Sequence, residues 1–404
     1  MMTKTKNNNK AWIIFFIFFI TGLLISANND KVSASMVLLM GDLGIGAASA
    51  GLLITVAAVI GGIAAVPIGA LMVKTGPKAM AIGSILLALT GCLIGALLPN
   101  YSTLMVSRVF DGIAMGVIAT VVPTVVAANF PEEKRGLPMG IWSCYVSIGY
   151  ILVLQSAAIL GDESNPHTWV NLWWALAVAF IIVLVLFIFL TKGNKKPDTI
   201  EETAEKEEKV SLIEGFKSVP TIFIMLVELF FAMTVAVGSS YLPAYCNGAL
   251  GLDILKANSL TSLMSASMLV AGILMGFVLN KTKRHYTIFL ICAICAASFG
   301  AMSFLFPANL ATIFMIVLGL SQQAMFATLF TLAPGAANSP ETVSVTMGLL
   351  SFGQLMAGLA VTAGGIIIDT SGFATCSYAL GICGIIFVVF TILFTISMKK
   401  RQNN

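Results

Sequence analysis

Long apolar runs separated by short polar joints make up most of the chain. A hydrocarbon core of ~30 Å needs about 20 apolar residues per helix. Twelve such runs can be marked, at 11–38, 46–73, 78–98, 101–128, 137–160, 169–191, 219–246, 256–280, 286–306, 308–333, 342–368 and 373–398. The faintest joint is Pro307-Ala-Asn309, between the ninth and tenth runs. One long stretch, 192–218, is polar, with six lysines, six glutamates (Glu201, Glu202, Glu205, Glu207, Glu208, Glu214) and Asp198. That composition suits a solvated linker. The pattern predicts an all-α membrane protein of twelve transmembrane helices: an N-terminal six-helix bundle (1–191), a linker (192–218) and a C-terminal six-helix bundle (219–404).

The basic residues predict the orientation. With the N-terminus inside, the inner segments and Lys78 hold 19 of the 22 Lys and Arg residues. Of the others, Lys31 and Arg108 lie within apolar runs and only Lys256, the first residue of the eighth run, is on the outer side. This follows the positive-inside rule and places both termini on the cytoplasmic side. The halves also read as a duplication. Ala127-Ala-Asn-Phe-Pro-Glu132 recurs as Ala336-Ala-Asn-Ser-Pro-Glu341, Met139-Gly140 as Met347-Gly348, and Gly69-x3-Val73-Lys74 as Gly276-x3-Asn280-Lys281, at nearly one offset.

Composition narrows the class further. The chain is 58% hydrophobic and 10% charged, with a mean hydropathy of +0.98; soluble domains carry roughly 25% charged residues. The net charge of +4 resides in short loops and chain ends and points to no nucleic acid. The seven cysteines are scattered, and Cys292-x-x-Cys295, inside an apolar run, reads as packing rather than as a metal site. The N-terminal Trp12–Leu24 run continues past the length of a signal peptide and reads as a retained helix. No phosphate-binding loop, metal cluster or catalytic triad is visible, so neither a cofactor nor an enzymatic activity is expected.

Charges inside apolar runs are the candidates for function, because a charge in hydrocarbon costs at least ~2.5–3.5 kcal/mol. The first run is interrupted by Asp30-Lys31, within Ser26-Ala-Asn-Asn-Asp-Lys-Val-Ser33. On a helical repeat Asp30 shares a small, polar face with Ser26, Ala27 and Ser33, while Lys31 is turned about 100° away, on a face with Asn28 and Ser35. In the fourth run Arg108, Asp111, Gly112 and Gly116 share one face, an ion pair beside two glycines that admit a close neighbour. Asp30 and Arg108 fall at similar depth, roughly 10–14 Å from the outer end at 1.5 Å per residue. Arg108 offers either a planar fork to a solute carboxylate or a structural pair with Asp111 or Asp30. Glu228, in the seventh run, has no cation near it in sequence, and a desolvated carboxyl of this kind can exchange a proton or simply hydrogen-bond another helix. Tyr145, Gln155 and Gln354 are the best of the uncharged polar residues for solute contact; Tyr150, Gln322 and Gln323 are others.

These residues carry a resemblance to the major facilitator superfamily. Gly69-Ala-Leu-Met-Val73-Lys74-Thr-Gly76-Pro-Lys78 resembles its signature Gly-x3-Asp-[Arg/Lys]-x-Gly-x-[Arg/Lys], with Val73 in the aspartate place. Arg108-x3-Gly112 resembles its fourth-helix Arg-x3-Gly motif. Asp30-Lys31-Val32-Ser33 followed by Asp42-Leu43-Gly44 is similar to the Asp-Arg-x-Asn…Asp-Leu-Gly pattern of the anion:cation symporter-like carriers, and the fifth run is similar to that of cyanate-type carriers. Met115 stands where the symporters have a glutamate.

The resemblance implies the major facilitator fold, two pseudo-symmetric six-helix bundles around a solute site, in a cell membrane such as a bacterial cytoplasmic membrane. It implies a monomer that transports a small organic anion by alternating access in symport with protons. In that reading Lys31, Arg108, Tyr145, Gln155 and Gln354 bind the carboxylate, Asp30, Asp111 and Glu228 handle the proton, and Gly69, Lys74, Gly76 and Lys78 form the conformational motif. The alternatives are proton-driven efflux of amphipathic compounds, suggested by 20 methionines and 26 phenylalanines, and a non-transporting receptor or scaffold.

Overall fold

The protein is described here by a computed structural model covering residues 8–131, 134–191, 218–339 and 342–403. Apart from Ser218, the expected linker lies outside these described residues. The chain is a succession of helices: α1 (Asn8–Asn29), α2 (Lys31–Ala34), α3 (Met36–Leu43), α4 (Ala47–Thr75), α5 (Pro77–Leu97), α6 (Tyr101–Asn129), α7 (Gly136–Ser143), α8 (Tyr145–Leu160), α9 (Trp169–Leu190), α10 (Val219–Gly248), α11 (Ile254–Lys281), α12 (His285–Ala301), α13 (Ala311–Leu332) and α14 (Val343–Asn403).

Among the described residues, ten helical stretches are long and apolar enough to cross a bilayer, and α12 adds a shorter one of 17 residues. The last of the ten is two spans. Gly372, at φ 81° and ψ 171°, breaks α14 in a backbone region that residues with a Cβ rarely adopt. Twelve crossings result. The ninth ends earlier than the apolar run suggests, because Met302, Ser303 and Leu305 bond back three residues and the chain tightens into turns before Phe306.

Local signals set the ends of several helices. Asn100 accepts the Thr103 amide at 3.1 Å and begins α6, Asp253 accepts the Lys256 amide at 2.8 Å and begins α11, and Gly76 (φ 82°) followed by Pro77 begins α5. Lys78 Nζ donates to Thr191 O at 2.9 Å, a cation on the carbonyl end of α9.

The chain divides into two compact units, Met1–Leu43 with Val56–Glu208, and Gly44–Thr55 with Lys209–Asn404. In the first, α1 packs against α6 and α8, and α5 against α6 and α9. In the second, the core is Ile224, Val227 and Phe231 of α10 with Phe289, Met325, Leu329, Phe387 and Phe394. The first turns of α4 belong to this second unit: Asp369 accepts the amides of Ala47 and Ala48, each at 2.8 Å, and the Tyr241 hydroxyl lies 2.9 Å from the carbonyls of both Ala47 and Val361. Large apolar side chains such as Ile159, Phe189, Phe277 and Ile385 are exposed, as suits surfaces that face lipid.

Candidate functional site

The charged residues of α2 and α6 meet in the interior of the first unit. Lys31, Arg108 and Asp111 are all buried, with Lys31 and Arg108 at zero exposure. One carboxylate oxygen, Asp111 Oδ2, lies 3.0 Å from Lys31 Nζ and 2.9 Å from an Arg108 nitrogen. The other, Oδ1, accepts from Asn28 Nδ2 at 2.7 Å. Asn28 Oδ1 in turn accepts from Lys31 Nζ at 2.7 Å and from the Cys92 thiol at 2.9 Å. Buried charges need this degree of pairing, since each ion taken from water unpaired costs several kcal/mol.

The backbone takes part as well. Arg108 donates to Asn28 O at 3.4 Å and to Asn29 O at 2.6 Å, where α1 stops. The chain does not open into a solvated turn there: Asp30 N still bonds Ser26 O, and Ala34 N bonds Asp30 O. Irregular backbone at membrane depth is tolerated where protein groups satisfy it, and the guanidinium of Arg108 does so here.

Small residues make the room. A Cβ on Gly91 of α5 would lie 2.5 Å from Asp111 Oδ1, and one on Gly112 of α6 would lie 2.4 Å from the Ala57 carbonyl of α4. The Arg108-x3-Gly112 spacing therefore places the ion pair one turn from a close crossing of α6 and α4.

Of the other expected site residues, Asp30 is half-buried and Arg108 is the cation that acts on it. Tyr145 is buried, stacks on Trp142 at 3.9 Å and 6°, and feels the charge of Asp30. Gln155 is half-buried further along α8. Glu228 lies in the second unit at zero exposure, and neither of its oxygens has a hydrogen-bond partner of normal geometry among the described residues. Gln354, exposed on α14, is the polar side chain that acts on Glu228. Gly69 and Lys74 fall near the end of α4, but their side-chain surroundings lie outside the described residues.

The structure thus brings Lys31, Arg108, Asp111 and Asp30 together, with Tyr145 near Asp30, and leaves Glu228 apart from them in the second unit. Asn28, Cys92, Gly91 and Trp173 also line the buried cluster and carry no charge to mark them in the sequence. For Asn28 the signal is its spacing, three residues before Lys31 on the same helical face.

A set of paired charges held inside membrane-length helices is the build of a solute transporter. The sequence agrees: the chain belongs to the Major Facilitator Superfamily, whose sequence profile matches residues 14–362. It is 23% identical over 313 residues to the cyanate transport protein CynX of Escherichia coli (strain K12), a match covering 77% of this chain and 78% of that protein. It is 24% identical over 208 residues to the uncharacterized MFS-type transporter YhcA of Bacillus subtilis (strain 168), covering 50% of this chain and 37% of YhcA. With the galactose-proton symporter of Escherichia coli (strain K12) it shares 28% identity over 189 residues, 46% of this chain and 39% of the symporter. The chain therefore spans less than half the length of YhcA and of the galactose symporter. In fold it is similar to a bacterial homolog of the human lysosomal transporter Spinster, solved in an inward-facing and unoccupied conformation, with a TM-score of 0.74 and 15% identity over 98% of both chains.

Proposed function

We propose that the protein carries a small organic anion, a carboxylate, across the cell membrane in symport with protons, as a monomer with both termini in the cytoplasm. The observation that carries this reading is the charge count of the buried cluster. Two cations, Lys31 and Arg108, share one carboxylate, Asp111. The second carboxylate acting on Arg108 is Asp30, the one acidic group of the set that is only half-buried.

With Asp30 ionised the four groups are neutral together. With Asp30 protonated they carry one net positive charge, which an arriving carboxylate neutralises. Either event alone leaves an uncompensated charge in a low-dielectric interior, so proton and anion favour each other's binding. In this scheme Arg108 and Lys31 hold the carboxylate, and Tyr145, Gln155 and Gln354 hydrogen-bond the rest of the solute. Asp30 takes the proton, with Asp111 or Glu228 as its partner in release. Gly69, Lys74, Gly76 and Lys78 serve the change of conformation. The names of two relatives, one a cyanate carrier and one a proton symporter, are in keeping with a small anion and with proton coupling.

The zero exposure of Lys31 and Arg108 favours a second reading, in which the cluster is a structural brace and the solute is neutral. Purified protein in proteoliposomes separates the two. Carboxylate uptake driven by an inward proton gradient and abolished by Arg108→Gln supports anion symport. Uptake of a neutral solute that survives Arg108→Gln sinks it.

A further inference from the structure

Lys31 rests on an aromatic face that the charge pattern does not announce. Its ammonium lies 5.0 Å from the centre of the Trp173 ring, and Trp173 is fully buried on α9. Buried tryptophans normally find an acceptor for the indole N–H. Trp173 does not: Nε1 has no hydrogen-bond partner among the described residues. Instead, it fits against Gly95 of α5, where a Cβ would come within 2.6 Å of that nitrogen. The ring is placed for its face, and the face is under Lys31.

A second aromatic contact holds the ring. Trp169 meets Trp173 edge-on, with centroids 4.8 Å apart and planes at 79°. Trp169 Nε1 donates to Asp42 Oδ2 at 2.7 Å, and His167 Nδ1 lies 2.9 Å from the same oxygen. Asp42, at the end of α3, is part of the Asp42-Leu43-Gly44 stretch. A strut of Asp42, Trp169 and Trp173 thus runs from a partly exposed carboxylate to the buried ammonium.

We propose that Trp173 is a positioning residue for Lys31, braced by Trp169 and Asp42, and that it fixes the ammonium where a carboxylate substrate is to be met. A cation over an indole face is attracted to it, and more strongly when both are desolvated. Held this way, the ammonium keeps its place between Asp111, Asn28 and the ring. The role in substrate binding rests on the anion-symport reading; the positioning contact itself does not.

The experiment has two arms. In detergent, thermal unfolding of Lys31→Met, Trp173→Leu and the double variant is compared without ligand. In proteoliposomes, the half-saturating carboxylate concentration is measured for Trp173→Leu, Trp173→Phe and Trp169→Phe. The expected results are non-additive unfolding shifts and a half-saturation raised roughly three- to tenfold in Trp173→Leu at nearly unchanged maximal rate. Trp173→Phe, which keeps a weaker face, restores part of the loss, and Trp169→Phe, which removes the bond to Asp42 and trims the ring that meets Trp173, has a smaller effect of the same sign. Additive unfolding shifts overturn the proposal. So does non-additivity with carboxylate half-saturation unchanged, which reduces the contact to packing. If the wild type takes up no carboxylate at all, the anion reading fails, and the unfolding arm still decides whether Trp173 positions Lys31.

Discussion

The two units treat buried charge in opposite ways. In the first, Lys31, Arg108 and Asp111 satisfy one another and borrow the side chain of Asn28 and the carbonyls of Asn28 and Asn29. In the second, Glu228 stands in an apolar core between Val227 and Phe231, with no cation and no well-formed hydrogen bond among the described residues. The difference separates two jobs. A carboxylate shared by two cations takes a proton only at a stage of the cycle where both pairs are broken. A lone one gains or loses a proton with no ion pair at stake. Fixed charge for holding an anion belongs to the first arrangement, and proton exchange suits the second, with half-buried Asp30 as its counterpart beside the cluster.

The largest test of this contrast is Asp111→Asn. It leaves two buried cations without their carboxylate, and removing one partner of a buried ion pair costs about 3–5 kcal/mol. The variant is expected to unfold at a markedly lower temperature in detergent and to lose transport. Next in size is Arg108→Gln, which forfeits charge-assisted hydrogen bonds worth about 1.5–3 kcal/mol each. Its expected signature is lost carboxylate binding, read as the absence of a ligand-induced rise in unfolding temperature. Glu228→Gln should behave differently from both. With no ion pair to lose, it changes stability by roughly 1 kcal/mol or less. Counterflow exchange persists, while the stimulation of uptake by external acidification disappears. An unfolding shift as large as that of Asp111→Asn would mean that Glu228 has a charged partner after all. The smallest effect on transport is expected of Asp369→Ala, whose carboxylate caps the start of α4; loss of such a cap costs about 1 kcal/mol of stability, with the proton dependence of transport intact.

The sequence displayed the charges and the helices that carry them. Apolar length alone marks the crossings, and the helical repeat puts Asn28, Lys31 and Ser35 on one face, where the structure has Lys31 bonded to Asn28 and its carbonyl bonded by Ser35. Counting rise per residue set Asp30 and Arg108 at one depth, and Arg108 does reach the carbonyl next to Asp30. The identity of the neighbours was hidden. Gly91, Cys92 and Trp173 look like any small or aromatic residue of a membrane helix, and which of their faces turns inward depends on packing of α5 against α6 and α9. The sharing of Asp111 between Lys31 and Arg108 depends on the same packing. So does the membership of α4, whose first turns belong with residues more than 180 positions away because Asp369 and Tyr241 hold its start.

Arg108 reaches three oxygens from two directions, one on Asp111 and two on the backbone at the end of α1. In terms of sequence drift this makes position 108 a trap. A lysine there supplies one compact charge and cannot serve the carboxylate and both carbonyls together. Replacing the arginine therefore requires α1 to change course as well, and no single codon does that. Lys31 supplies its charge through one nitrogen and has Cys92 as a soft neighbour, so an arginine can replace it, charge for charge, when that neighbour makes room. Divergent relatives of this chain should keep the arginine long after the lysine has been exchanged.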